Sequence, residues 1–182
     1  MVATLDWMPA LDHPDLLADP VCAALRTLGP AAVEARVAAI DPDLADTAAF
    51  CAAYGRSLDG SANCVLLAAR RSGETRLAAC VVLATTRADV NGRARRTLGA
   101  KKASFAPMEV AVSASGMETG GITPVGLPDG WPILVDATVA AASDVVVGSG
   151  VRRSKLMVPG ALVARLPHAE VIDGLGVPAS PG

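Results

Sequence analysis

Aromatic residues are scarce in this chain: two Trp, one Tyr and two Phe make up 3% of its 182 residues. Proteins that hold nucleic acid by stacking bases on aromatic platforms need more of them, so that class is disfavoured. The formal net charge is −2, and only three of the 16 basic residues are lysines. The composition therefore carries no broad electrostatic footprint for DNA or RNA, and we expect no DNA partner.

Targeting segments and metal-binding patterns are also missing. Residues 1–14 hold neither a basic nor an apolar segment, and the apolar stretch at 133–147 is interrupted by Asp136 and Asp144. We therefore expect no secretory signal and no membrane partner. The four cysteines form no Cys-x-x-Cys pair and there are only two histidines. We expect reduced thiols, no metal, no other cofactor and a cytoplasmic protein.

The chain is rich in apolar residues, at 52%, which predicts a folded protein. Apolar runs at 61–69 and 77–85 flank a polar turn, which predicts two buried strands in a hairpin. Strands and helices alternate without a regular βαβ rhythm, so we expect a mixed α/β fold with a central barrel-like sheet. We expect three parts: an N-terminal arm at 1–30, a domain at 31–175 and a flexible tail at 176–182.

Helical patterns in the middle of the chain end at glycines. One begins after Asp41, which we expect to cap it, and covers 44–54 before Gly55. Others cover 91–98 and 107–115. We expect Asp136 and Asp144 to serve as turn or cap residues, because no partnered carboxylate accompanies them.

The strongest local signal is a loop rich in Gly and Pro that begins at Gly120-Gly121 and continues through Ile122, Thr123 and Pro124 to Gly126. Adjacent glycines let a ligand approach the backbone closely, and successive amides in such a turn form a nest for an anion or oxyanion. The alternative is an ordinary surface turn.

A second glycine turn, Gly148-Ser149-Gly150, follows an apolar strand pattern. Arg153 stands where the third glycine of a dinucleotide motif belongs, so a tight turn beside a pocket is the better interpretation. Two basic clusters are candidates for contact with the acceptor end of an RNA, or are solvated surface: Arg152, Arg153 and Lys155, and Arg93, Arg95, Arg96, Lys101 and Lys102. A dyad of Cys64 with a histidine, or a Ser-His-Asp triad, stays open without a local signature.

From about residue 33 to 175 the chain resembles the YbaK family of aminoacyl-tRNA-synthetase-associated domains. Four segments carry the resemblance: TLGAKKASFAP at 97–107, SGMETGGITPVGLP at 115–128, PILVD at 132–136 and VVVGSGVRRSKL at 145–156. The Gly-x-x-x-Pro loop from Gly120 to Pro124, followed by Gly126, is the specific part.

The resemblance implies a YbaK-like fold and hydrolysis of the ester of mischarged aminoacyl-tRNA that carries a small amino acid, such as alanine or cysteine on proline tRNA. It implies no metal, the tRNA acceptor end as partner, and a synthetase as a further candidate partner. The family's central strand usually carries Lys-Thr-Leu, with a lysine needed for activity. Here Asn63 stands at that position, followed by Cys64.

Losing that cation removes a charge-assisted contact of about 1.5–3 kcal/mol. Three outcomes stay open: Asn63 serves a changed substrate, the protein is a non-catalytic relative that binds an aminoacyl, nucleotide or protein ligand, or an arginine elsewhere replaces the charge.

The leading hypothesis is a free-standing aminoacyl-tRNA deacylase. Its expected catalytic residues are Gly120, Gly121 and Asn63. Its expected substrate-binding residues are Cys64, Ile122, Thr123, Pro124, Gly126, Ser149 and Gly150, and its candidate tRNA contacts are Arg95, Arg96, Lys101, Lys102, Arg152, Arg153 and Lys155.

Overall fold

A computed structural model describes residues 3–179. The strands in these residues are β1 (Met8–Pro9), β2 (Arg36–Ala39), β3 (Ala62–Arg71), β4 (Glu74–Leu83), β5 (Thr86–Ala88), β6 (Lys102–Phe105), β7 (Ile133–Asp136), β8 (Val145–Gly148), β9 (Ser154–Val158), β10 (Ala169–Ile172) and β11 (Gly176–Pro178). The α-helices are α1 (Asp19–Leu28), α2 (Thr47–Tyr54), α3 (Arg95–Thr97), α4 (Met108–Ser115), α5 (Ala137–Ala140) and α6 (Gly160–Val163).

The long hairpin of β3 and β4 forms the centre of a five-stranded sheet with the order β10-β7-β4-β3-β6. The two strands pair antiparallel along ten residues each, from Ala62 opposite Leu83 to Arg71 opposite Glu74. Ser72 and Gly73 turn the chain with positive φ angles of 51° and 87°. The predicted hairpin is confirmed. β7 pairs in parallel with β4, and β10 pairs in parallel with β7.

The second sheet has four antiparallel strands in the order β1-β2-β9-β8. A single bridge between Ser61 and Val146 connects it to the start of β3. The mixed α/β fold is confirmed. The strands are divided among three sheets and do not close one barrel, because only that bridge joins the two larger sheets.

The main core lies between the two larger sheets and is closed by the N-terminal segment. Ala10, Leu17, Val21 and Leu25 are all buried in it. The segment that the sequence separates as an arm is therefore packed into the same core as the sheets, through the apolar face of α1.

The C-terminal end is ordered further than its Gly and Pro content indicates. Leu175 is fully buried, and β11 pairs antiparallel with β5. Residues 176–178 therefore belong to the fold and not to a flexible tail, because β5 offers a partner strand for their backbone. Residues 180–182 of the predicted tail lie outside the described residues.

The helix predicted at 44–54 begins later and in two pieces. Asp41 caps a 3₁₀ turn, Pro42–Leu44, by accepting from the amide of Asp43. Helix α2 then starts afresh at Thr47, because the Asp46 carboxylate accepts from two amides of its first turn. The break leaves residues 45–47 as a corner that faces the glycine loop. No helix within residues 3–179 has the length and apolarity needed to cross a membrane.

Candidate active site

The glycine loop packs its backbone directly on the second sheet. A Cβ atom at Gly148, the last residue of β8, would lie 2.3 Å from the carbonyl oxygen of Gly121 and 2.6 Å from that of Ile122. A Cβ at Gly121 would lie 2.7 Å from backbone atoms of Val151. Contacts this short exclude any side chain. Glycine is therefore required at both positions, because the backbone of the loop lies directly against the backbone of β8 and of the turn that follows it.

Hydrogen bonds hold the loop against the turn between β8 and β9. The Gly121 amide donates to the Glu118 carbonyl at 2.9 Å, and the Gly121 carbonyl accepts from Gly150 at 2.7 Å. The Glu118 amide donates to the Gly150 carbonyl at 2.8 Å, and the Glu118 carboxylate accepts from the amide of Arg152 at 2.7 Å. The amide of Gly121 is thus occupied. Within residues 3–179 the amides of Gly120 and Ile122 donate to no acceptor.

Thr123 carries an unpaired hydroxyl at the end of this loop. The residue is fully buried, and its Oγ1 has no hydrogen-bond partner within the described part of the chain. A buried hydroxyl without a partner costs about 1–3 kcal/mol, so such a group marks a strained or functional position.

The Arg152 guanidinium lies over Gly120. It donates to the Thr119 carbonyl at 3.0 Å and to the Pro42 carbonyl at 2.9 Å. A Cβ at Gly120 would lie 2.8 Å from Nη1 of Arg152. The positive charge of Arg152 is therefore held in a fixed position beside the loop amides.

Lys155 is a second cation, and it lies inside the protein. Its side chain is only 4% exposed, because strand alternation turns Lys155 and Met157 towards α2 and turns Leu156 and Val158 into the main core. Its Nζ donates to the carbonyl of Ala45 at 2.6 Å and lies 5.4 Å from the Phe50 ring centre.

No carboxylate lies within 4 Å of that ammonium group among residues 3–179. Burial lowers the pKa of Lys155 below its ordinary value, and the charge of Arg152 lowers the pKa further while Asp46 opposes the shift. The structure thus supplies two cations near the loop, although residue 63 carries none.

Asn63 lies at the start of β3, and its amide oxygen accepts from the Thr47 hydroxyl at 2.7 Å. Thr47 belongs to the same corner as Ala45, whose Cβ lies 3.4 Å from a Cβ placed on Gly120. Residues 45–47 are therefore the place where Asn63, the glycine loop, Arg152 and Lys155 come together.

Other predicted substrate-binding residues lie behind or beside this site. Ser149 is buried and bonds to the Ser154 hydroxyl at 2.7 Å, so it supports the turn from within. Gly150 has a φ of 86° and lies against Ala18. Pro124 and Gly126 line a separate cavity of about 190 Å³.

The geometry does not favour nucleophilic catalysis by a dyad of Cys64 with a histidine or by a Ser-His-Asp triad. Burial raises the pKa of the Cys64 thiol well above its ordinary range and that of Cys80 to about 12, so both stay protonated and weakly nucleophilic. His168 bonds to Asp129 at 2.6 Å, and this hydrogen bond holds the pKa of the Asp129 carboxyl below its ordinary value. Residues 3–179 contain no group of three or more His, Cys, Asp or Glu placed to hold a metal.

The remaining predicted RNA contacts fall into two places. Arg153 lies beside the site and donates to the Asp15 carbonyl at 2.5 Å. Arg95, Arg96, Lys101 and Lys102 lie at the far end of β3. Two residues of the site were missed from sequence, Thr47 and Glu118, which show no local signal. Lys155 was expected as a tRNA contact at the surface; the structure buries it instead, because α2 covers that face of β9.

A family model described as an aminoacyl-tRNA editing domain matches residues 41–166. That range is more than half of the chain and contains the loop, Asn63, Arg152 and Lys155. The chain belongs to the aminoacyl-tRNA editing domain family. The resemblance to the YbaK family is thereby confirmed, and a general relation to aminoacyl-tRNA follows from membership.

Solved structures support the editing-domain fold. A hypothetical protein aligns with a TM-score of 0.75 and 18% identity over 87% of this chain and 100% of its own. A proposed trans-editing enzyme for prolyl tRNA synthetase aligns with a TM-score of 0.72 and 22% identity, over 86% and 94%. A scaffold protein used for computational epitope grafting gives 0.72 and 21%, over 86% and 95%. No curated protein matches the sequence.

Proposed function

We propose that this editing domain is an aminoacyl-tRNA deacylase that hydrolyses the ester between a small amino acid and the 3′ end of a mischarged tRNA. The observation that carries the proposal is the pair of unoccupied amides, Gly120 and Ile122, held rigidly beside Arg152 in a chain of this family. The size of the amino acid rests on the resemblance of the loop to the family pattern.

Water is the nucleophile in the proposed reaction. Its oxygen attacks the ester carbonyl carbon, and the bond between that carbon and the ribose oxygen breaks. The proton of the water passes to the ribose oxygen, so the products are the free amino acid and a tRNA with a free hydroxyl. Negative charge develops on the carbonyl oxygen, where preorganised donors stabilise it most effectively.

The loop amides of Gly120 and Ile122 are the proposed donors to that oxygen. The amide of Gly121 instead fixes the loop through Glu118. Arg152 and Lys155 supply the positive field that the family lysine supplies elsewhere. The amide oxygen of Asn63 accepts from Thr47, and its amide nitrogen, which donates to nothing within residues 3–179, is the proposed donor to the sugar or phosphate. Catalysis then rests on positioning and backbone electrostatics.

A panel of tRNAs mischarged with small amino acids tests the proposal. We expect the protein to release at least one amino acid faster than buffer alone, measured as free amino acid against time. Uncharged tRNA binding is measured in parallel. Binding without any hydrolysis above the buffer rate would contradict the deacylase and favour the second candidate, a non-catalytic binding relative, for which the uncharged side chain of Asn63 is the specific observation.

The Thr123→Val variant separates a functional hydroxyl from a structural one. Valine has nearly the same shape and removes the unpaired buried hydroxyl, so we expect the free energy of unfolding in urea to rise by about 1 kcal/mol. If the hydroxyl contacts substrate, hydrolysis falls about tenfold or more in the same variant. Thr27→Val, at an exposed hydroxyl in α1, is the matched control and leaves hydrolysis unchanged. Full activity in Thr123→Val would show that the hydroxyl makes no contact with the substrate.

A further inference from the structure

Strand β6 forms one edge of the five-stranded sheet, and no strand within residues 3–179 pairs with its outer side. The Ala106 amide donates to the Leu66 carbonyl at 2.8 Å, in the register that pairs β6 with β3. Because bonding residues alternate along an antiparallel ladder, Ser104 also bonds to β3, whereas Ala103 and Phe105 direct their N–H and C=O groups away from it. The outer side of β6 therefore offers two donors and two acceptors to another strand.

Apolar side chains are concentrated beside this edge. Six large apolar side chains are exposed in the part of the chain that the structure describes, and three of them are Phe105, Met108 and Val110. Phe105 is 64% exposed, although it lies on the same face of β6 as Ala103, which is buried. An exposed aromatic ring beside an unpaired sheet edge is typical of a surface that associates with another chain.

The two ends of this edge carry charges of opposite sign. Lys101 and Lys102 lie at the start of β6, and Glu109 lies in the first turn of α4, which follows the strand. All three side chains are exposed, and none forms an ion pair within 4 Å among residues 3–179. An edge with a positive start and a negative end is complementary to an identical edge that runs in the opposite direction.

We propose that two copies of this chain associate through β6, antiparallel about a two-fold axis at Ser104, so that their five-stranded sheets join into one continuous sheet. The proposal does not depend on the deacylase function. In this register Ala103 of each copy pairs with Phe105 of the other, and their outward N–H and C=O groups form four hydrogen bonds. Each Ser104 lies directly opposite its counterpart.

The side chains fit the same register. Phe105 lies diagonally from its counterpart on one face of the joined sheet, roughly 7–8 Å away, which is within reach of aromatic contact. Lys102 lies opposite Ala106 of the second copy and beside the start of the helix that carries Glu109. A lysine on a sheet edge commonly prevents pairing. Here the two-fold axis places it next to a carboxylate and four residues along the strand from its counterpart.

A contact built on a four-residue strand is smaller than a standard interface, which buries roughly 1,600 Å². We therefore expect a dimer that dissociates on dilution. Sedimentation velocity over a series of protein concentrations measures its dissociation constant.

The Ser104→Cys variant tests the register. Residues that face each other in a non-hydrogen-bonded antiparallel pair have Cα atoms about 4.5 Å apart, which a disulfide can bridge. We expect a covalent dimer in a glutathione redox buffer, seen on a non-reducing gel. Ser143→Cys, at an exposed serine in the loop before β8, is the matched control. This control and the wild type, which has four cysteines of its own, are expected to remain uncrosslinked.

The Phe105→Lys variant tests the apolar contact. It replaces two facing rings by two like charges, so we expect the dissociation constant to rise roughly tenfold or more, because the two-fold axis counts each substitution twice. Val171→Lys makes the same change at an exposed valine on β10, the opposite edge of the sheet, and is expected to leave the dissociation constant unchanged. Far-UV circular dichroism establishes that both variants are folded.

Charge reversal tests the pairing of the two ends. Glu109→Lys is expected to weaken association, because two lysines of one copy then meet a third from the other. Adding Lys102→Glu to that variant is expected to restore association, since an opposite pair is formed again.

Wild-type protein that stays monomeric up to roughly 1 mM would overturn the proposal. This is also the result expected if β6 instead receives an extended peptide of another protein. Two further results would show that a dimer uses a different surface and would overturn the proposal as well. They are equal cross-linking of Ser104→Cys and Ser143→Cys, and equal weakening by Phe105→Lys and Val171→Lys.

Discussion

The Gly148→Ala variant is expected to lose about 100-fold in the rate of ester hydrolysis and roughly 1–3 kcal/mol of unfolding free energy. Its new methyl group would meet the carbonyl oxygens of Gly121 and Ile122 at 2.3 and 2.6 Å. The loop must then move away from β8 by about 1 Å. A displacement of that size moves the free amides of Gly120 and Ile122 out of line with the ester oxygen.

Urea denaturation gives the stability change, and single-turnover release of amino acid gives the rate. Gly60→Ala is the matched control, because its methyl group would touch only the Ser57 hydroxyl, at 3.2 Å. It should retain both properties. A Gly148→Ala protein that loses stability but hydrolyses at the wild-type rate would show that the loop position does not matter for chemistry.

The Lys155→Met variant has the second large expected effect, a loss of 10- to 100-fold in kcat/KM without loss of stability. Methionine keeps the length of the side chain and its contact with Phe50 but removes the charge. Loss of the positive field that Lys155 supplies beside the loop accounts for the change in kcat/KM. Removal of an unpaired buried cation offsets the loss of the donor to Ala45, so unfolding free energy stays within about 1 kcal/mol or rises.

The pH dependence of stability gives an independent signature. Burial lowers the folded-state pKa of Lys155, so the unfolded chain binds the proton more tightly. Wild-type stability should therefore rise with pH between the lowered pKa and the ordinary lysine value. In Lys155→Met this rise is absent. Arg165→Met, which removes an exposed cation, should keep both the rise and the activity, and full activity in Lys155→Met would exclude Lys155 from the site.

Local patterns were sufficient for the elements that depend on local chemistry. Apolar runs around a polar turn predicted β3 and β4, and Asp136 does cap α5 by accepting from the amide of Thr138 at 2.9 Å. Adjacent glycines located the loop that approaches another backbone closely. In each case the signal lies within about ten residues of the feature it specifies.

Features set by distant contacts were not predictable from the sequence. The inward direction of Lys155 depends on α2 covering that face of β9, and the occupied amide of Gly121 depends on how Glu118 and Gly150 meet. The later start of α2 follows from competition between Asp41 and Asp46 as caps. Substitution at position 63 was visible, whereas the cations near it come from residues about ninety positions away.

The most direct test of the account is the rate at which a mischarged tRNA loses its amino acid, measured for the wild-type protein and Gly148→Ala purified in the same way. The account predicts release well above the buffer rate by the wild type and a rate about 100-fold lower with the variant. Equal rates with both proteins, or no release above buffer by the wild type, would contradict it.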